Sequence, residues 1–208
     1  MTRQNQILTY WFGSVDAVTS GTGALEKASL WFAAGNEVDR EMRQYFGDDL
    51  ELAGRGKYDS WEDDPMEHLA LILLLDQFSR NIHRGTPRAF AFDDRGLSSA
   101  LNGIDREHDR AVSPVARAFF YMPLEHAEQL GHQERCVELM EELVAQVPEE
   151  QRELFQGFAD YARQHRDIIA KFGRFPHRNK ILGRPSTPEE RAFLAEAKQD
   201  FGQSVKES

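Results

Sequence analysis

The chain has 208 residues, of which 40% are hydrophobic and 11% aromatic, and this composition predicts a folded domain rather than a disordered chain. Its formal net charge of −10 repels nucleic-acid phosphates and anionic membranes, so we expect no nucleic-acid partner. The single cysteine, Cys136, excludes an internal disulfide and a zinc site built on several thiolates. The apolar run Leu69 to Leu75 is too short to span a membrane, and the polar N-terminal residues do not form a secretory signal. We therefore expect a cytoplasmic protein with no membrane partner.

Four sites show a helix-capping residue followed by proline, a pattern that predicts the first turn of a helix. These sites are Asp64-Pro65, Thr86-Pro87, Ser113-Pro114 and Thr187-Pro188. Glu67 and Glu190 follow two of them at the spacing of a capping box. Because no stretch alternates apolar and polar residues as a β-strand does, we predict an all-α fold and a single domain, residues 1–208. The predicted helices are 3–12, 37–53, 65–83, 87–102, 114–130, 133–146, 149–172 and 188–200.

The connections between these helices are mostly short, and short connections make successive helices antiparallel neighbours. The pattern therefore favours a stack of helical hairpins. Without an exact internal repeat, it does not separate a helical bundle from a repeat-like solenoid.

The predicted helix 65–83 begins with the apolar run Leu69 to Leu75, so we expect it to be central and buried nearly all round. Asp76, Arg80 and His83 continue its inward face. A buried charge must be paired or it costs several kcal/mol. Asp76 and Arg80 are therefore expected either to form a salt bridge with each other or to face a wet pocket.

The predicted helix 114–130 contains Pro123, which should break or kink it. The proline frees backbone groups beside Glu125 and His126, two residue types that supply acid–base chemistry or metal ligands. Adjacent helical residues diverge by about 100°, so this pair is a poor chelator of one ion. We predict no metal and no cofactor.

Basic residues are concentrated near the C-terminal end of an otherwise acidic chain. Residues 163–191 have eight basic and three acidic side chains, whereas residues 61–162 have nine and twenty. The predicted helix 149–172 carries His165 on its apolar stripe, and the loop after it alternates apolar residues with cations. We expect this loop to be ordered, and its simplest role is to dock on the acidic helices.

The cations of this loop are Arg174, His177, Arg178 and Arg184. The next helix opens at Thr187, where free backbone N–H groups suit an anion, so the loop also predicts a site for a carboxylate or phosphate. The alternative is structural. In that interpretation Arg174 and Arg178 pair with Asp76 or Glu125, and Thr187 only caps its helix.

Three separated stretches resemble the bacterial family called domain of unknown function 924. They are residues 73–81, residues 121–128, and residues 173–179 with 186–190, and the Trp11-Phe12 opening is also similar. One departure is Ser79, where the family has proline. The resemblance implies an all-helical fold similar to tetratricopeptide-repeat proteins, that is, a tetratricopeptide-like stack of antiparallel helical hairpins. It implies no reaction, because the family is uncharacterised.

The leading hypothesis is that the inner surface binds a small anionic ligand or the acidic end of a peptide, with arginines and histidines as donors and Asp76 and Glu125 orienting them. The candidate ligand-binding residues are Asp76, Arg80, Arg84, Glu125, His126, His165, Arg174, His177, Arg178 and Arg184. A second hypothesis is an enzyme in which one of three histidines acts as general base beside Glu125 or Asp76; the three are His126, His165 and His177. A third makes these motifs structural and assigns function to a protein–protein surface elsewhere.

Overall fold

The structure is a computed structural model that describes residues 1–33 and 35–196, with the backbone alone for residues 32 and 33. The α-helices are α1 (Arg3–Phe12), α2 (Val15–Ser20), α3 (Ala28–Ala33), α4 (Asn36–Gly54), α5 (Pro65–Leu73), α6 (Ser79–Ile82), α7 (Asp93–Asp105), α8 (Pro114–Glu125), α9 (Leu130–Gln146), α10 (Arg152–Phe172) and α11 (Pro188–Glu196). Short 3₁₀ and π-helical turns join several of them. No strand occurs in the described ranges, and the predicted all-α fold is confirmed.

Proline-initiated helices occur at three of the four predicted sites. Asp64 accepts hydrogen bonds from the N–H groups of Met66 and Glu67, and α5 follows it. Ser113 caps α8 in the same way, and Thr187 precedes α11. The end of α11 was predicted at residue 200, and residues 197–200 lie outside the described part of the chain.

The predicted helix 87–102 is wrong in its first half. Residues Pro87–Phe90 form only a 3₁₀ turn, and a separate helix, α7, begins at Asp93. The reason lies at Thr86, whose hydroxyl donates to the carbonyl of His83 at 2.7 Å instead of accepting from the following turn. The structure thus places Asp93, rather than Pro87, in the first turn of the long helix.

The helix around Pro123 ends soon after the proline. α8 runs through Pro123 and stops at Glu125, and α9 begins at Leu130, so the predicted helix 114–130 is too long. The residues between α8 and α9 include His126, which lies just beyond the last turn of α8. The short connection places Glu125 and His126 at the end of a rigid element.

A π-helical turn, Leu74–Phe78, joins α5 to α6 where the sequence predicts one regular helix. The turn begins within the apolar run, whose residues are fully or almost fully buried. The ring of Phe78 at its end packs edge-on against Tyr10 and Phe46, with centroids 6.1 and 5.1 Å away. A π turn is a wider turn that is often found at functional sites. Here it carries Asp76.

The main hydrophobic core takes side chains from α1 through α10, with α5 packed against α1, α7 and α8. α7 packs on α8, α8 on α9, and α9 on α10. These contacts are what a stack of hairpins requires, whereas a tetratricopeptide-like arrangement of the pairs remains a prediction. No helix in the described ranges has the length and apolar character that crossing a membrane demands.

A second, smaller apolar cluster lies at the C-terminal end. It is formed by Ile168, Ile169 and Phe175, with Phe172 and Phe193 packed against it. Gly173 ends α10 in the left-handed conformation, with a φ of 68°, as its predicted role at a helix end requires. Hydrogen bonds to Glu128 from the backbone N–H of Phe175 and from Arg184 then hold the basic loop against the rest of the fold.

Candidate functional site

Asp76 lies at the centre of a buried group of ionisable side chains and is 2% exposed. Its Oδ1 accepts from Nδ1 of His126 at 2.7 Å and lies 3.1 Å from Nη1 of Arg80. Its Oδ2 accepts from Nε2 of Gln77 at 2.7 Å. Burial alone would raise the pKa of Asp76, but the charges of Arg80 and His126 and these hydrogen bonds hold it below its usual value. Asp76 is therefore an ionised carboxylate.

Arg80 connects Asp76 to a second carboxylate, Asp93. Nη1 and Nη2 of Arg80 donate to Oδ1 and Oδ2 of Asp93 at 3.0 and 3.1 Å, which is a bidentate ion pair. Nη1 of Arg178 also donates to Oδ2 of Asp93, at 3.4 Å. Asp93 thus lies between two guanidinium groups. The sequence analysis did not select Asp93, because the helix predicted from Pro87 placed it in a helix interior. The signal that could have found it is the pair Asp93-Asp94, since acidic residues are typical of a first helical turn.

Arg178 is held between two aromatic rings and is 6% exposed. Its guanidinium carbon lies 4.7 Å from the ring centroid of Phe90 and 4.4 Å from that of Phe175. Burial, together with the charge of Arg80, lowers the pKa of Arg178 to about 10, so it remains charged at neutral pH. Its Nε is buried and makes no hydrogen bond to any described residue. One donor of a buried cation is therefore left unused.

Glu125 and His165 form a neutral pair behind Asp76. Glu125 is 4% exposed, and its Oε1 lies 3.8 Å from Nδ1 of His165, which donates to the carbonyl of Tyr161 at 3.0 Å. Burial, then the charge of Asp76, raises the pKa of Glu125 to about 8. Burial and the neighbouring His126 lower the pKa of His165 to about 3. At neutral pH the carboxyl is therefore protonated and the imidazole uncharged.

His126 is partly exposed, at 15% of its side chain. Since its Nδ1 donates to an ionised carboxylate, Nε2 carries the lone pair. Burial and the charge of Arg80 lower the pKa of His126, and Asp76 opposes that shift without cancelling it. We define the Arg178 cluster by the following residues: Asp76, Arg80, Asp93, Glu125, His126, His165 and Arg178.

Three of the predicted ligand-binding arginines lie outside the Arg178 cluster, each with its own carboxylate. Arg84 donates to Asp39 at 2.6 and 3.0 Å. Arg174 donates to Glu190 at 2.6 and 2.8 Å, and Arg184 donates to Glu128 at 2.6 and 2.9 Å. In the described fold, each of these three arginines is therefore paired with a carboxylate of the chain itself.

The predicted structural pairing of the loop is wrong in its partners. Arg178 pairs with Asp93, and Arg174 pairs with Glu190, so neither clamps Asp76 or Glu125 in the predicted direct contact. Partner choice depends on the tertiary path of the loop, which residue spacing does not give.

His177 and His83 lie at the edges of the predicted site. The ring of His177 lies 5.4 Å from that of Phe175, and its side chain is partly buried beside the cluster. His83 follows the last residue of α6 and is also only partly buried, so the inward face predicted to include it stops near Arg80.

The start of α11 holds a carboxylate of the chain itself. Oε2 of Glu190 accepts from the backbone N–H of Thr187 at 2.7 Å, and the N–H of Glu190 donates to the Thr187 hydroxyl at 3.2 Å. This is the predicted capping box. Glu190 also accepts from Arg174 and from Asn179. The position suggested for an external anion at this helix start is therefore filled by Glu190.

A cavity of about 130 Å³ lies away from the Arg178 cluster, between the turn after α2 and the starts of α8 and α10. Gly21, Leu25, Val115 and Phe155 are among the residues that line it, and no residue of the cluster is. The cavity and the ionisable groups are thus separate features of the fold.

The comparisons with known proteins point to one family. Among curated proteins, none matches this chain. A solved structure of a protein of unknown function from Agrobacterium tumefaciens is similar, with 37% sequence identity, a TM-score of 0.77, and coverage of 93% of this chain and 97% of that one. The model of a family described as bacterial protein of unknown function matches residues 7–198, which include the whole Arg178 cluster. The chain therefore belongs to this bacterial family of unknown function, DUF924.

Proposed function

We propose that the protein binds a small anion, or the carboxylate end of a peptide, at Arg178. The observation that carries the proposal is the buried Nε of Arg178, which has no hydrogen-bond partner among the described residues. An unsatisfied buried donor costs about 1–3 kcal/mol, and more when the group is charged. An anion that accepts from Nε would remove this cost.

The geometry of the guanidinium supports the proposal. Nη1 of Arg178 is engaged by Asp93, whereas Nε and Nη2 form the opposite edge of the planar group. Phe90 and Phe175 lie on the guanidinium at 4.7 and 4.4 Å and restrict its movement. A fixed donor edge loses little conformational entropy when an anion binds, and such preorganisation favours affinity.

The proposal is tested by adding sodium acetate or inorganic phosphate to the protein. At a concentration about ten times Kd, a ligand stabilises the fold by about 1.4 kcal/mol, which corresponds to a rise of about 3–5 °C in Tm. We expect this rise with at least one of the two anions, together with a shift of the Arg178 Nε–H resonance in NMR spectra.

A variant at Arg178 and a control variant at the surface distinguish anion binding at Arg178 from a general effect of salt on Tm. Arg178→Gln should lose the rise in Tm, whereas Arg135→Gln, which only breaks an exposed pair with Asp105, should keep it. If Arg178→Gln does not fold, the Nε–H resonance of the unmodified protein decides. The proposal fails if neither anion moves that resonance, or if both variants respond equally.

A second candidate function is acid–base catalysis, and the hydrogen bond between Asp76 and His126 favours it. A carboxylate that accepts from Nδ1 of an imidazole at 2.7 Å fixes the ring and leaves Nε2 as the basic atom. His165, at 3% exposure of its side chain, is sealed in the core. His126, partly exposed, is therefore the histidine that fits a general base best.

The catalytic candidate is tested by incubating the protein with a mixture of small carboxylic acids and their esters and following each compound by mass spectrometry. A general base contributes about 10²–10⁴-fold to a rate, so His126→Gln should slow the consumption of any substrate by at least the lower factor. Equal consumption by the two proteins would exclude His126 from the chemistry.

A further inference from the structure

We infer that the anion bound by Arg178 is a carboxylate monoanion and that its binding adds one proton, taken from solvent, to Nε2 of His126. This inference rests on the proposed function, because it describes the ligand class and the proton coupling of the same site. It follows from the charge balance of the Arg178 cluster and from the hydrogen bond that orients His126.

The Arg178 cluster is electrically balanced without a ligand. Two carboxylates, Asp76 and Asp93, face two guanidinium groups, Arg80 and Arg178, within hydrogen-bonded contact. The remaining ionisable members are uncharged at neutral pH, since Glu125 is protonated and both histidines are neutral. An entering anion therefore brings an unbalanced negative charge into a buried region, which is costly unless a proton accompanies it.

His126 is the group placed to take that proton. Its Nδ1 already donates to Asp76 at 2.7 Å, so an added proton goes to Nε2, and the resulting imidazolium remains paired with a carboxylate. His165 is less suited, because it is 3% exposed and the carboxyl group of Glu125, 3.8 Å from its Nδ1, is protonated at neutral pH.

The charges that face His126 explain why the proton arrives only with the ligand. Asp76 favours the imidazolium, whereas Arg80 and Arg178 oppose it. The ring of His165 on α10 packs 6.3 Å away, and Glu125 on α8 precedes His126 in the chain. An anion on Arg178 offsets one of the two opposing cations. Binding of an anion to Nε of Arg178 therefore also makes His126 more basic.

One added proton balances one negative charge, which favours a monoanion over a dianion. The shape of the donor edge adds to this preference, because a planar carboxylate matches the parallel Nε–H and Nη2–H groups of an arginine in a bidentate pair. Sulfate, a tetrahedral dianion, would leave one uncompensated negative charge at the Arg178 cluster. We therefore expect acetate to bind at least tenfold more tightly than sulfate.

The experiment measures the Kd of acetate by NMR or calorimetry from about pH 5.5 to about pH 7.5, in buffers that carry no carboxylate. Where binding takes up one proton, Kd rises by up to about tenfold for each unit of increase in pH. His126→Gln should bind acetate with a Kd that no longer depends on pH. Glu134→Gln, a change at an exposed carboxylate outside the Arg178 cluster, should keep the dependence.

The outcomes separate the inference from the proposed function. If acetate does not bind at any pH, and phosphate does not either, the proposed function itself fails. If acetate binds the unmodified protein with a pH-independent Kd, or if sulfate binds as tightly, only the present inference is overturned. Should His126→Gln not fold, the imidazole ¹⁵N shifts of the unmodified protein decide: saturation with acetate near pH 6.5 must move His126 toward the imidazolium.

Discussion

Replacing Asp76 by asparagine is expected to lower the free energy of unfolding by about 3 kcal/mol, because it removes one partner of a buried ion pair. Both oxygens of Asp76 accept hydrogen bonds, Oδ1 from His126 and Oδ2 from Gln77, with Arg80 also beside Oδ1. An asparagine amide group has two donors in place of one of these acceptors. In either orientation it therefore sets a donor against a donor in a buried place.

The decrease in the free energy of unfolding caused by Asp76→Asn is measured by urea unfolding at pH 7, with Asp105→Asn as the control. Asp105 forms an exposed pair with Arg135, so its replacement should cost no more than about 1 kcal/mol. Since Arg80 keeps its bidentate pair with Asp93 in the variant, the expected loss is at the lower end of what a broken buried pair costs. Equal losses in the two variants would show that the Asp76 contacts contribute little.

Glu125→Gln is expected to remove a fall in stability that the unmodified protein shows above neutral pH. The pKa of Glu125 is raised to about 8 in the folded state, whereas an unfolded glutamate ionises near pH 4.5. In the intervening range the folded protein binds a proton that the unfolded chain does not, so stability decreases as pH rises. Near pH 7–8 the expected slope is about 1 kcal/mol per pH unit.

The pH range above 7 isolates Glu125 from the buried histidines. The pKa values of His126 and His165 are lowered, so their effect is opposite in sign: stability is lost as pH falls below the ordinary histidine value. Urea unfolding at about pH 7 and pH 8 should therefore show the slope in the unmodified protein and in a surface control, Glu134→Gln, but not in Glu125→Gln. A slope that persists in Glu125→Gln would assign the titration to another group.

Much of the helical framework is predictable from the sequence because its signals are local. A capping residue with proline, as at Asp64 and Ser113, acts within one turn. The structure also brings the segments around Asp76, Glu125 and Arg178 into one cluster, which the hypothesis of a ligand-binding inner surface requires. Those segments are polar stretches at the ends of apolar helices, and polar groups in such places must find one another or water.

The pairing within the cluster could not be predicted in the same way. Which carboxylate each arginine meets depends on the path of the loop and on the phase of a π turn that no local pattern signals. Arg174 pairs with Glu190, the capping-box residue of α11. Arg178 pairs with Asp93, which the sequence pattern placed in the middle of a predicted helix and the structure places at the start of α7. Residue spacing fixes what shares a helical face, whereas these partners lie on different elements.

The π turn between α5 and α6 gives one helix two registers. In a regular α-helix each residue advances the side-chain direction by about 100°, so the wider turn offsets every residue after Leu74 relative to α5. Leu69 and Ile72, before the turn, therefore point into the apolar core. Asp76 and Arg80, in and after the turn, point toward their partners His126 and Asp93. Deleting one residue from this turn would restore the regular i to i−4 hydrogen bonds of an α-helix. It would also rotate the Asp76 carboxylate away from the His126 imidazole.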